Sequence, residues 1–294
     1  MTSIPIEQTQ RDHSVGVVGV GAVGRGIATS IIRHHRYPAL YDIRANATEG
    51  LAGEYLVCGS PAEVARLSKV VFIAVFDEHQ VREAIVGTAG VLGGAEPGDV
   101  IVIISTVAVD FLEEMARLAH EKTVSLIDAG ITPGSGAAKG ESLSLVGGPR
   151  DAVECAREFI EDYSSKLYYF GDLGMGMKAK IARNLVIYCG YAAMCEGALL
   201  AQTMGVDLEA FLEIIEYSDP MLGGTGAILR ARALSLIDDR GTDDQRALRR
   251  QIHGLGMKDL AIGVDLAQTY SLTLPMTHEV LNHFDMICGV DFDA

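Results

Sequence analysis

The sequence predicts an α/β fold in two parts. An N-terminal doubly wound parallel sheet over residues 1–173 is joined by a long interdomain helix to an all-α domain over residues 174–294. Three observations predict it. A Val-rich stretch from Ser14 runs into closely spaced glycines and then into helical periodicity. Nearly continuous runs of β-branched residues recur between helical segments through about residue 170, the alternation of a sheet wound on both faces. From Met175 onward no strong strand pattern remains.

The first strand ends in Gly19-Val20-Gly21-Ala22-Val23-Gly24. The first Gly allows a tight turn, the second lets backbone N–H groups approach a pyrophosphate, and the third lets helix and strand pack closely. The helix then presents its positive end to the phosphates. Gly19, Gly21, Ala22, Val23 and Gly24 are therefore candidate dinucleotide-binding residues of a Rossmann-type domain. A short strand, Ala39-Leu40-Tyr41, ends in Asp42, which lies 18 residues after Gly24, where a carboxylate would accept hydrogen bonds from an adenosine ribose. That favours NAD over NADP, because a carboxylate there repels a 2′-phosphate. Arg44 pulls the other way, and Asp42 can alternatively begin a turn.

Residues 70–75 and 100–104 are apolar runs of the kind buried on both faces of a parallel sheet. Helical spacing marks residues 78–86 and 111–120, and residues 124–127 read as a strand ending at Asp128. Ligands of such sheets sit beyond the carboxyl ends of the strands, which places Phe76, Ser105 and Thr106 at the cofactor site. Ser105 and Thr106 are equally readable as helix caps.

At 294 residues the chain exceeds one core of roughly 100 to 200 residues, hence two domains. With 49% hydrophobic residues it can bury them. A net charge of −15 disfavours nucleic acid and anionic membrane as partners, since both are held by Lys and Arg, but leaves room for an anionic small molecule in a local cleft. The five cysteines have no CxxC spacing, so neither a disulfide framework nor a metal site is expected, and they read as small hydrophobes. Residues 2–14 are polar with mixed charge, no apolar run approaches the about 18 residues of a membrane span, and the cytoplasm is the expected location.

The second half reads as helices over residues 178–204, 208–217, 227–236, 247–268 and 277–288, with an exposed loop over 238–244. The first of these is apolar nearly all round, which predicts burial between domains or subunits.

Residues 128–148, DAGITPGSGAAKGESLSLVGG, resemble the substrate-binding segment of the β-hydroxyacid dehydrogenases, a group that includes 3-hydroxyisobutyrate dehydrogenase, tartronate semialdehyde reductase and the 6-phosphogluconate dehydrogenases. That segment reads DAPVSGG, a Gly-rich stretch, a strand and a GG turn. Asp128-Ala129, Gly134, Leu143 and Gly147-Gly148 match, while Gly130 stands for Pro, Thr132 for Ser and Pro133 for the first Gly. The resemblance implies that Thr132, Pro133 and Gly134 bind the substrate carboxylate, although Pro133 has no N–H to offer.

Two further segments carry the resemblance. Gly174-Met175-Gly176-Met177-Lys178-Ala179-Lys180-Ile181-Ala182-Arg183-Asn184 is similar to the group's GxGxxxKxxNN, with Arg183 in place of the first Asn. It implies Lys180 and Asn184 as catalytic residues; four apart on a helix, they share a face. Lys178 has the wrong offset from Gly176. Lys258-Asp259-Leu260 resembles the KDL helix, whose lysine closes over the nicotinamide, here Lys258.

The resemblance spans residues 14–275 and implies hydride transfer between NAD and a small hydroxy acid or its semialdehyde, in a homodimer or homotetramer with the active site between the domains. Lys180 would exchange the hydroxyl proton, its pKa lowered by burial and by neighbouring cations such as Arg183 or Lys178. An imine reductase shares the architecture but commonly carries another residue at the lysine position. A non-catalytic NAD-binding protein would have no use for Lys180 and Asn184 on one helical face.

Overall fold

Strand runs of β-branched residues put alternate side chains on opposite faces, and here both faces are covered. The computed structural model describes residues 14–221 and 242–290. Among them, the strands are β1 (Val15–Val18), β2 (Ala39–Tyr41), β3 (Leu56–Val57), β4 (Val70–Ile73), β5 (Val100–Ile103), β6 (Ser125–Thr132), β7 (Ser142–Gly147) and β8 (Ser164–Tyr169). They form one sheet in the order β3-β2-β1-β4-β5-β6-β7-β8. On one face Val15, Val17, Val70, Phe72, Val100 and Val102 pack against Ile27, Ile31, Phe159 and Tyr163. On the other, Val71, Ile73, Ile101 and Ile103 pack against Val64, Ile85, Leu112 and Met115. Each such side chain, when fully buried, contributes about 1.5–3 kcal/mol.

The covering helices are α1 (Ala22–Arg33), α2 (Pro61–Arg66), α3 (Glu78–Val86), α4 (Val109–His120) and α5 (Arg150–Tyr163). From β1 the chain moves outward to β2 and β3, then returns to β4 on the other side of β1. The strand order reverses there, and the crevice beyond the carboxyl ends of β1 and β4 is where such folds bind ligands.

The sheet is parallel as expected except at β6 and β7, which pair antiparallel from Asp128↔Gly147 to Thr132↔Leu143. The strand expected to end at Asp128 therefore continues to Thr132. Pairing with β7 overrides the weak strand preference of Gly, and Pro133 ends the run by supplying no N–H. The Thr132–Pro133 bond is cis, and a 3-10 turn, Gly134–Lys139, follows.

The chain divides into two compact units, Met1–Asn184 and Leu185–Ala294. Helix α6 (Met175–Thr203) runs through the division, and the second unit continues with α7 (Leu208–Met221), α8 (Asp243–Thr269) and α9 (Pro275–Cys288). Glu196 of α6 satisfies the start of α9, accepting the N–H groups of Met276 and Thr277 at 2.6 and 2.8 Å. His253 of α8 bonds Asp285 of α9 at 2.6 Å and stacks on Phe284. The helix expected at 227–236 lies outside the described residues, as do 238–241 of the expected loop; Asp243 and Asp244 are helical. Among the described side chains of α6, Met177 and Ala201 are buried, whereas Ile181, Met194 and Leu199 are 38–43% exposed.

Among the described residues, no helix is long and apolar enough to cross a membrane, and no cluster of three metal-ligating side chains occurs. Cys58 and Cys288 are free thiols, and burial pushes Cys58 up to about 12, leaving it inert. Cys189 and Cys195 have side chains outside the described residues.

Candidate active site

Gly19 sits at φ +91°, a conformation that favours glycine. A Cβ at Gly24 would stand 1.8 Å from the Gly19 carbonyl oxygen, so only Gly lets α1 close onto the turn. At Gly21, by contrast, a Cβ would meet nothing within 4 Å. Gly21 precedes Ala22 and Val23 at the head of α1, with no side-chain cap and no acidic residue in the first turn. Those helix-end donors face open space, which is the environment a pyrophosphate fits.

Asp42, at the end of β2, is tied to this loop: the Val20 N–H donates to its Oδ2 at 2.7 Å. Arg44 donates to it from its backbone N at 2.9 Å and from Nε and Nη2 at 3.0 and 3.1 Å. Burial raises the Asp42 pKa, but these donors outweigh it and hold the carboxyl below its ordinary value. Asp42 is thus an ionised group fixed beside the glycine turn, with Arg44 folded onto it.

Phe76, just past β4, is 86% exposed at the same edge of the sheet. Thr106 is exposed there too, and its neighbour Ser105 is buried. Ser105 does not cap a helix. Its hydroxyl donates to the Val75 carbonyl at 2.6 Å, tying β5 to β4, while α4 begins at Val109 and the Ala108 N–H goes to Glu78 at 2.6 Å.

Lys180, in the second turn of α6, is 9% exposed, whereas Lys178 is exposed. No hydrogen bond or ion pair engages Lys180 among the described residues. Burial lowers its pKa to about 8. The neighbouring cations expected to help are not part of the cause: Lys178 points to solvent, and the exposed Arg183 donates to Asn184 Oδ1 at 3.4 Å. Asn184 is partly buried on the face of Lys180.

The stem of Lys180 lies over Gly130 of β6, where a Cβ would stand 2.8 Å from its Cδ and 2.9 Å from its Cβ. Two residues further on, Thr132 is buried at the end of the strand. The Pro133 carbonyl accepts the Ser142 hydroxyl at 2.7 Å. A Cβ at Gly134 would be 3.0 Å from Val23 Cγ2, so this loop lies against the head of α1. Ser30 of α1 fixes the same loop by donating to the buried Ala137 carbonyl at 2.7 Å. Residues 130–134 therefore run from the Lys180 stem to the head of α1. Lys258 lies in α8 of the second unit, with its side chain outside the described residues.

Sequence reasoning missed Asp128. It is fully buried, and its Oδ1 and Oδ2 accept the N–H groups of Gly174 and Met177 at 2.6 and 2.5 Å. Burial raises its pKa to about 6, against those bonds and the charge of Lys178. Its place at the end of an apolar run was visible; its contact with a helix 46 residues on was not.

Comparison with known proteins bears on this geometry. A family model described as the NAD binding domain of 6-phosphogluconate dehydrogenase matches residues 14–171. A second, described as the NAD-binding domain of NADP-dependent 3-hydroxyisobutyrate dehydrogenase, matches residues 174–290. An uncharacterized oxidoreductase of Mycobacterium tuberculosis is 30% identical over 94% of this chain and 93% of its own. A 2-(hydroxymethyl)glutarate dehydrogenase of Eubacterium barkeri is 26% identical over 91% and 87%. The crystal structure of a Mycobacterium avium 104 protein assigned as an oxidoreductase shares 30% identity, covers 94% of this chain and 99% of its own, and superposes with a TM-score of 0.82.

Proposed function

Because this chain belongs to the β-hydroxyacid dehydrogenase family, we propose that it transfers a hydride between NAD and a small 3-hydroxy acid or its semialdehyde, with Lys180 as general acid and base. The observation that carries the reading is Lys180, a buried lysine with a pKa near 8. Near pH 7.5 about a quarter of such amines are neutral, against about one in a thousand for an ordinary lysine. The neutral Nζ accepts the substrate hydroxyl proton in oxidation, and the ammonium returns it in reduction.

When bound, the nicotinamide supplies the hydride acceptor or donor at C4. The chain positions both reactants. The open space at Gly21 and the uncapped head of α1 suit the pyrophosphate, and the ionised Asp42 suits an adenosine ribose, which is why NAD is preferred to NADP. Phe76 and Thr106 line the nicotinamide end, and Lys258 is assigned to cover it. The Thr132 hydroxyl and the Gly134 N–H hold the substrate carboxylate beside Pro133, and Asn184 orients the reacting oxygen. The relative named for 2-(hydroxymethyl)glutarate supports the substrate class, an acid whose alcohol carbon is attached to the carbon beside the carboxyl.

Residues 1–173 serve in this reading as the dinucleotide domain and 174–294 as the substrate and oligomerisation domain, in a cytoplasmic homodimer or homotetramer. Exposed apolar side chains of the helical unit, Ile214, Tyr217 and Met286 among them, support self-association.

The test is an absorbance screen at the nicotinamide band with NAD and NADP against 2- and 3-hydroxy acids and their semialdehydes. NAD-linked turnover of a 3-hydroxy acid is expected. Tight NAD binding without turnover of any of them would move the assignment to imine reduction or a non-catalytic role.

A further inference from the structure

We propose that Asp128 and Gly130 are positioning residues for Lys180, Asp128 clamping the first turn of α6 and Gly130 providing the bed on which the lysine stem lies. The proposal rests on the reading of Lys180 as the proton-exchanging residue. Two apart on β6, the two positions point to the same face of the sheet. Met177 and Lys180 are three apart on α6 and share a helical face. One pair of contacts therefore matches the other: carboxylate to the Met177 N–H, glycine to the Lys180 stem.

The clamp is closely fitted. A Cβ at Gly176 would stand 2.8 Å from Asp128 Oδ2 and 2.3 Å from the Leu145 carbonyl oxygen. One at Gly147 would stand 2.7 Å from Asp128 Oδ1 and 2.9 Å from the Gly176 nitrogen. Backbone thus encloses the carboxylate from β7 and from α6, and the charge of the exposed Lys178 acts on it from a distance. The folded pKa of Asp128 lies above its ordinary 3.8, so ionising it weakens the fold as pH rises from about 4 through about 6. A carboxylate kept under those terms supplies geometry: two acceptor oxygens for two N–H groups, which an amide cannot match because its NH₂ would oppose one of them.

Lys180 then has no freedom to choose its depth. Its stem is confined between α6 and the β6 backbone at Gly130, and burial of its amine follows from that confinement. A Cβ at residue 130 would displace the stem toward solvent and restore an ordinary lysine.

Trace acetylation with acetic anhydride from about pH 6 to 11, read by peptide mass spectrometry on the full-length protein, titrates Lys180 and Lys178 separately and needs no substrate. Wild-type Lys180 should titrate near 8. In Gly130→Ala it should move up by at least about one pH unit toward the ordinary value near 10.4, with Lys178 unmoved. Asp128→Asn should shift it the same way by less, and Asp128→Ala by more. An unchanged Lys180 midpoint in folded Gly130→Ala or in folded Asp128→Ala overturns the proposal. Should Gly130→Ala not fold, Asp128→Asn decides by the same reading. A failed turnover screen would sink the assigned reaction without touching this titration.

Discussion

At the end of β1 a Cβ added to Gly21 would meet nothing within 4 Å, whereas on β6 one added to Gly130 would stand 2.8 Å from Lys180 Cδ. The same residue type thus serves two regions of the molecule differently. At the glycine turn the missing side chain leaves open space, which the proposed cofactor would fill. On β6 and at Gly147 and Gly176 it leaves room for the protein's own groups, a lysine stem and a carboxylate. Gly24 belongs with the second kind despite its place in the first motif, since its space is taken by the Gly19 carbonyl. A glycine motif is therefore read correctly only when each glycine is asked what occupies its missing Cβ.

Substitutions can break or sharpen that contrast. Gly24→Val should be the most damaging: overpacking costs about 1–3 kcal/mol or more, seen as a thermal midpoint lower by roughly 5–10 °C together with lost NAD binding. Next comes a pH effect at Lys180. Its folded pKa lies below the ordinary 10.5, so the unfolded chain binds the extra proton between about 8 and 10.5 and stability rises with pH across that window, by on the order of 3 kcal/mol. Denaturant melts of wild type beside Lys180→Met should show the rise only in wild type; parallel curves would mean the amine is not buried. Gly21→Ala should melt within about 1 kcal/mol of wild type yet bind NAD roughly ten- to a hundredfold more weakly by calorimetry. Were it to lose stability instead, the space at Gly21 would not be a ligand's. Asp42→Ala should weaken NAD about tenfold and narrow the preference over NADP, the smallest of these effects.

Much of this was legible because it is local. The β1 turn, the buried strands and the Lys180–Asn184 spacing follow from periodicity, and Lys178 is separated from Lys180 by offset alone. What was not legible depends on partners distant in sequence. Residues 128–132 begin with three poor strand formers, Asp128, Ala129 and Gly130, precede a Pro, and become strand only because β7 pairs with them. The edge strand β8, SSKLYY, has no long apolar run and is mostly exposed. Ser105 reads as a cap until its hydroxyl is found to donate a hydrogen bond to the Val75 carbonyl. Burial of Asp128 and the bed at Gly130 need the antiparallel β6–β7 turn and the path of α6 together. One local signal was overlooked: Ser60-Pro61-Ala62-Glu63 carries a cap and a first-turn Pro, and Ser60 does accept the Glu63 N–H at 3.1 Å.

The central claim is that Lys180 exchanges the substrate proton. With the best substrate from the nicotinamide screen, kcat and NAD affinity should be measured for Lys180→Ala beside Lys178→Ala. The account predicts that Lys180→Ala loses about 10²- to 10⁴-fold in kcat with NAD affinity unchanged, while Lys178→Ala stays close to wild type. Equal losses in the two variants, or an active Lys180→Ala, would contradict it.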